Sequence, residues 1–128
     1  MKRPRVLIVD DSSVMRKIVE RSLRQAGLDL EEVVEAGNGI EAIAAVREGA
    51  FDLILSDINM PAMDGIEFLR QLGTIESAKG TPVVMVTTEG SESRVVEALS
   101  IGAKGYIRKP FTPDQIKERV SPLLEVMR

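Results

Sequence analysis

Phe51-Asp52-Leu53-Ile54-Leu55-Ser56-Asp57-Ile58-Asn59-Met60-Pro61 is a short apolar run that ends on a carboxylate, with Pro61 blocking its continuation. The run has the length and composition of a strand buried on both faces, as in a parallel sheet. Such a strand carries Asp57 to its carboxyl end, the side on which open α/β sheets bind ligands. Asp57 is therefore the first candidate for chemistry. An aspartate that merely opens a turn before Pro61 is the plainer alternative, and the choice between them depends on the rest of the chain.

A chain of 128 residues, 44% of them hydrophobic, suits one compact domain with a real core. A single domain over residues 1–128, with no output domain, is expected. The net charge of -3 argues against a nucleic-acid-binding surface, which needs clustered excess Lys and Arg. With no cysteine, disulfides and thiolate zinc sites are excluded, and with no histidine so are Ser-His-Asp and Cys-His machinery. Any metal must be held by oxygen. No apolar run reaches the length of a membrane span or signal peptide, so a cytoplasmic protein without membrane insertion is expected.

The opening pattern recurs along the chain. Arg5 to Val9 is an apolar run ending on Asp10 and Asp11, and Pro82 to Thr88 is another. Glu31 to Ala36 is charged and β-branched, suited to an edge strand, and Lys104 to Arg108 makes a short fifth strand before Lys109-Pro110-Phe111 turns the chain. Between them, apolar residues at helical spacing predict helices over about 12–26, 40–48, from Asp64 to Gly73, and 91–101. Asn38 with Glu41, Asp64 with Glu67, and Thr112-Pro113 with Gln115 are N-terminal capping signatures. Residues 74–81 read as a polar loop, and Pro122 should kink or shorten the last helix.

Five strand–helix units predict an α/β, doubly wound parallel sheet with helices on both faces. All strand tips then share one rim, which gathers Asp10, Asp11, Asp57, Thr87, Thr88 and Lys109. With strand order 2-1-3-4-5, the order reverses between strands one and three, placing the crevice between Asp11 and Asp57. Three crowded carboxylates repel one another by roughly 4 kcal/mol per pair at about 4 Å and an effective dielectric near 20. An open, all-oxygen site suits Mg²⁺ better than Ca²⁺, which takes more protein oxygens. Carboxylate, cation, the Lys109 ammonium and the Thr87 hydroxyl together suit a phosphoryl group, with Asp57 as nucleophile.

These motifs, Asp10-Asp11, Asp57 with Met60-Pro61 and Asp64-Gly65, Thr87, and Lys109-Pro110-Phe111, resemble the receiver domains of two-component response regulators over essentially the whole chain. The resemblance is greatest to their stand-alone chemotaxis members and implies a flavodoxin-like five-stranded sheet with five helices. It implies that Asp57 accepts phosphate from a partner histidine kinase. Asp11, Asp57 and the backbone carbonyl of Asn59 would hold Mg²⁺, with Asp10 supporting the ion site. Lys109 would bond the phosphoryl oxygens. Thr87 and Tyr106 would form a switch that reshapes the face of helix four, strand five and helix five for a target, with the flagellar motor switch as one candidate and a phosphatase as a further partner. A cis peptide bond before Pro110 is also implied. Asn59 and Glu89 match the chemotaxis regulators at positions that tune loss of the phosphate.

The same residues admit other readings. Gly37-Asn38-Gly39-Ile40-Glu41-Ala42 fits a dinucleotide fingerprint, but it follows the second strand, where helix capping explains it better. A haloacid-dehalogenase-like hydrolase needs an aspartate two residues after its nucleophile, where Asn59 stands. A signalling protein rather than an enzyme is expected, catalysing only its own phosphorylation and dephosphorylation. A phosphorelay receiver, or one excised from a longer regulator, carries the same motifs. On helix four, Val95, Val96, Ala98, Leu99 and Ile101 span more of the circumference than one core stripe needs. Arg108, Lys117 and Arg119 are expected in solvent, with Arg108 placed to meet an acidic partner, and Met15, Met60, Met63 and Met85 in core or loop packing.

Overall fold

The computed structural model describes residues 3–88 and 92–125. Strands β1 (Arg5–Val9), β2 (Glu32–Ala36), β3 (Leu53–Ser56), β4 (Val83–Thr87) and β5 (Gly105–Arg108) alternate with helices α1 (Ser13–Gln25), α2 (Gly39–Glu48), α3 (Gly65–Leu72), α4 (Glu92–Ser100) and α5 (Pro113–Glu125). The strands are all parallel, in the order β2-β1-β3-β4-β5. Every residue of β3 and β4 is buried, whereas β5, at the sheet edge, alternates buried and exposed. That contrast is what two covered faces require of central strands.

Side chains divide between the faces by strand alternation. Leu7, Val9, Ile54 and Met85 point into one core with Phe68 and Leu69 of α3, Val46 of α2 and Val95 of α4. Val6, Ile8, Leu53, Leu55 and Val84 point into the other, with Val19 and Leu23 of α1 and Ile116 and Val120 of α5. Each fully buried aliphatic or aromatic side chain contributes about 1.5–3 kcal/mol, so the two layers hold the sheet from both sides.

Helix starts follow the capping signatures, with differences in detail. The side chains of Ser12, Asn38 and Asp64 accept hydrogen bonds from the N–H groups of Met15, Glu41 and Glu67. In α5 the box is reciprocal, Thr112 Oγ1 accepting from Gln115 N–H at 3.2 Å and Gln115 Oε1 from Thr112 N–H at 2.9 Å. Glu41 instead reaches one residue further back, accepting from Gly37 N–H at 2.8 Å. Gly39, the second glycine of the fingerprint-like stretch, packs where a Cβ would lie 2.6 Å from Met63 Cγ. The stretch serves α2 packing at the sheet edge.

Two expectations need correction. Residues 74–81 are not a plain loop, because Glu76–Ala78 forms a 3₁₀ turn with Ala78 buried against the core. Pro122 does not shorten α5 at its own position, since the helix continues through it to Glu125 among the described residues. Pro122 is exposed, and the carbonyl its missing N–H leaves unpaired is that of the equally exposed Glu118, which solvent can reach. The predicted start of α4 at Ser91 lies outside the described residues.

Among the described glycines, the one with least room for a side chain is Gly65, the first residue of α3. Its N–H donates to the Ile58 carbonyl at 2.7 Å, and a Cβ there would lie 2.2 Å from the Asp57 carbonyl oxygen. Because backbone cannot yield as a side-chain tip can, Gly65→Ala is expected to destabilise the chain by about 2–4 kcal/mol. Urea denaturation with an unchanged m-value checks this; a loss below about 0.5 kcal/mol would show that α3 can slide away freely.

Candidate functional site

The tips of β1, β3, β4 and β5 meet at one rim. Asp10 N–H donates to the Ala36 carbonyl at 3.0 Å and Asp57 N–H to the Val9 carbonyl at 2.9 Å, so both carboxylates continue the ladder one step beyond the strands. Lys109 N–H donates to the Thr87 carbonyl at 2.9 Å, which brings the last tip to the same edge. The Lys109–Pro110 peptide bond that follows is cis.

Carboxylate oxygens of Asp10, Asp11 and Asp57 all lie within 4.8 Å of one another. Asp10 Oδ1 accepts from Ser12 N–H at 2.9 Å, and Oδ2 from the Lys109 ammonium at 2.7 Å. Asp57 Oδ1 accepts from Ile58 N–H at 2.7 Å, and Oδ2 faces Lys109 Nζ at 3.4 Å. The side chains of Asp10, Asp57 and Lys109 are only 5%, 12% and 8% exposed, so solvent screens their charges weakly. Asp11 is exposed, and among the described residues its carboxylate has no hydrogen-bond or ion-pair partner.

Burial pushes the Asp57 carboxyl above its ordinary value; the Lys109 ammonium pulls against this, Asp10 adds to it, and the Ile58 N–H pulls against it. Asp57 thus sits in a place that disfavours its own charge, a common condition of reactive groups.

The donor set fits a hard divalent cation. Three carboxylates against one ammonium leave a local excess of two negative charges, all available donors are oxygen, and Asp11 opens one side to water. Mg²⁺ takes such sites, keeping several waters.

Sequence comparison shows which family the chain belongs to. Residues 6–121 match the profile of the response regulator receiver domain. The chain belongs to the response-regulator receiver family. It is 40% identical to the chemotaxis protein CheY-3 of Vibrio cholerae over 124 residues, covering 97% of this chain and 94% of that protein. It is equally 40% identical to the chemotaxis protein CheY of Pseudomonas aeruginosa, over 94% of this chain and 96% of that one. A solved structure of Vibrio cholerae CheY4 superimposes with a TM-score of 0.85 at 38% identity, covering 96% of this chain and all of the other.

The remaining candidates of this receiver fall into two groups. Thr87 is buried at the end of β4, beside Lys109 in the ladder. Asn59 is exposed in the loop after β3. Tyr106 lies instead on the outer side of β5, 39% exposed, with the Arg119 guanidinium 6.0 Å from its ring centre. Arg108 and Lys117 are exposed as expected. On α4, Val95 and Ala98 are buried while Val96 and Leu99 are exposed, so the broad apolar arc is half core and half surface. Glu89 lies outside the described residues.

Sequence reading assigned no role at the rim to four residues that build it. Ser12 caps α1 and directs its N–H to Asp10; only its place between an acid pair and a helix could have signalled this. The buried Ser56 donates its hydroxyl to the Asp57 carbonyl at 2.9 Å. Gly65 backs the same peptide, and Arg16 donates to the Asp10 carbonyl at 2.6 Å. The last contact depends on helix placement, for which the sequence carries no local signal.

The raised Asp57 pKa means that the folded chain holds this proton more tightly than the unfolded chain. Stability is therefore lost as pH rises from the ordinary carboxylate value through the raised one, and the penalty persists above it. In metal-free buffer, Asp57→Asn is expected to gain on the order of 1 kcal/mol at neutral pH, a few degrees in Tm. The gain should shrink as the pH falls toward about 3.9. Calorimetry across that range measures it, and a variant no more stable than its parent at neutral pH refutes the charge-burial account.

Proposed function

We propose that the protein is a phosphorylation-activated signalling switch that accepts a phosphoryl group on Asp57 from the phosphohistidine of a partner kinase. The observation that carries this reading is the convergence of Asp57, Asp10, Asp11 and Lys109 at one weakly screened rim. An Asp57 oxygen attacks phosphorus, the P–N bond breaks, and the imidazole leaves with the bonding electrons and takes up a proton. The product is an acyl phosphate, which water later cleaves back to carboxylate and inorganic phosphate.

Asp10, Asp11, Asp57 and the backbone carbonyl of Asn59 would hold Mg²⁺, which when bound supplies charge neutralisation at the phosphoryl oxygens. Lys109 already spans Asp10 and Asp57, and its ammonium can transfer to a phosphoryl oxygen without a large movement. Electrostatic stabilisation of this kind dominates phosphoryl transfer, where positioning matters more than covalent chemistry by the protein. The buried Thr87 then donates its hydroxyl to the new group. Tyr106 moves inward from its exposed position, and the face of α4, β5 and α5 is reshaped.

The relatives named for chemotaxis support a target in that pathway, with the flagellar motor switch as one candidate. Val96, Leu99 and Tyr106 supply an exposed apolar surface on the face concerned. The chain acts as a signalling protein and not as an enzyme on outside substrates, and a phosphatase partner would shorten the signal further. Asn59 and Glu89 set the lifetime of the acyl phosphate by controlling access of water. Among the described residues no helix is long and apolar enough to cross a membrane, which is compatible with the cytoplasmic location this role requires.

Incubation with acetyl phosphate and Mg²⁺, followed by intact-mass measurement, tests the reading. One added phosphoryl group is expected, lost again with time, and absent from Asp57→Asn and from the metal-free control. Thr87→Ala should still accept the group but respond to it weakly, read as a smaller phosphorylation-dependent change in Tyr106 fluorescence. No adduct in the parent chain despite bound Mg²⁺ would remove the phosphoacceptor role.

A further inference from the structure

The acidic rim is braced from the side of the edge strand by a residue of α1. Arg16 Nη1 donates to the Asp10 carbonyl oxygen at 2.6 Å, and its Nε to Glu35 Oε1 of β2 at 2.8 Å. Glu35 is itself held, its other oxygen accepting from the Lys17 ammonium at 2.6 Å. Hydrogen bonds from Lys17 and then Arg16 keep the Glu35 carboxyl below its ordinary value, so it stays charged and orients the guanidinium. Arg16 and Glu35 are 18% and 24% exposed, so solvent only partly screens the pair.

We propose that Arg16 is a positioning residue for the acidic rim, fixing the peptide plane between Asp10 and Asp11 and thereby the direction in which Asp11 presents its carboxylate to a divalent cation. The Asp10 carbonyl and the Asp11 N–H belong to one rigid planar unit. Holding the oxygen therefore orients the start of Asp11. Asp10 is also tied at its N–H and at both carboxylate oxygens. Asp11, in contrast, has no side-chain partner among the described residues, so its direction depends on this backbone. A guanidinium suits the task because its planar fork serves the carbonyl and Glu35 together, which a single ammonium cannot do with the same rigidity.

The inference rests on the reading of the rim as a cation site, and its sign separates it from simple electrostatics. A cationic side chain near the rim repels Mg²⁺, so removing Arg16 for charge alone would tighten metal binding. Loss of positioning loosens it. Supports of this kind, one step removed from the ligands, are worth roughly 10–100-fold in metal affinity.

Mg²⁺ titration by calorimetry on the whole chain, at fixed ionic strength, compares the parent with Arg16→Ala, Arg16→Lys, Glu35→Gln and Asp11→Asn. Far-UV circular dichroism gives the folded fraction of each. Arg16→Ala is expected to weaken Mg²⁺ binding about tenfold, Arg16→Lys to recover part of the loss, and Glu35→Gln to weaken binding less than Arg16→Ala. Unchanged or tighter binding in folded Arg16→Ala overturns the proposal. Should that variant fail to fold, parental affinity in both Arg16→Lys and Glu35→Gln overturns it equally. If Asp11→Asn also binds Mg²⁺ like the parent, the cation-site reading falls, and the role of Arg16 with it.

Discussion

Three carboxylates held within 4.8 Å of one another, with one ammonium between two of them, are the constraint around which the molecule is built. Left to themselves they would separate, since each close pair opposes the fold by several kcal/mol at intermediate dielectric. They stay together because Asp10 and Asp57 extend strands whose interiors are wholly buried, and neighbouring strands cannot part without opening both cores. The hydrophobic layers thus sustain an electrostatic arrangement that is locally unfavourable. Lys109 offsets part of the repulsion, but it arrives from the far end of the chain, 99 residues after Asp10. The site is complete only when the last strand has docked.

The surroundings of the rim differ in how firmly they are held. α3 buries five residues and begins on Gly65, which lies against the Asp57 backbone with no room for a side chain. α4 buries only Val95 and Ala98, and ion pairs join it to α3: Arg94 to Asp64 at 3.1 Å and Arg70 to Glu97 at 2.6 Å. Exposed ion pairs contribute little, about 0–1 kcal/mol each. An element with few buried contacts is among the first to shift or open locally. The firm half of the rim therefore holds Asp57, and the looser half bears the exposed apolar residues of α4. That division suits the proposed switch, in which one covalent event would change a surface.

Much of this was legible before any coordinates. The apolar runs of strand length, each closing on a polar residue, and the helical periodicity between them specify a parallel α/β sheet, because burial on both faces and burial on one face leave different residue patterns. Asp10, Asp11, Asp57, Thr87 and Lys109 were identifiable because each follows such a run directly. The capping residues Asn38, Asp64 and Thr112 also showed locally, since a cap acts on the backbone three residues away. Pro122 was misleading for the opposite reason: its effect depends on whether the carbonyl it leaves unpaired can reach water, which exposure in the folded chain decides.

Tertiary structure alone decided what lies between elements. Periodicity could not tell which side of the broad α4 arc is covered; the packing of Val95 and Ala98 and the exposure of Val96 and Leu99 answer that. Nor could it join Arg16 to the Asp10 carbonyl and to Glu35, a contact set by where α1 crosses β1 and β2. The outward position of Tyr106 beneath Arg119 likewise depends on how α5 lies on β5. What the sequence determined by itself was the set of groups that reach the rim, because strand ends and caps are encoded by neighbours in the chain. Which oxygen faces which cation, and which surface is left open, depend on distances between residues far apart in sequence, and those exist only after the two cores have closed.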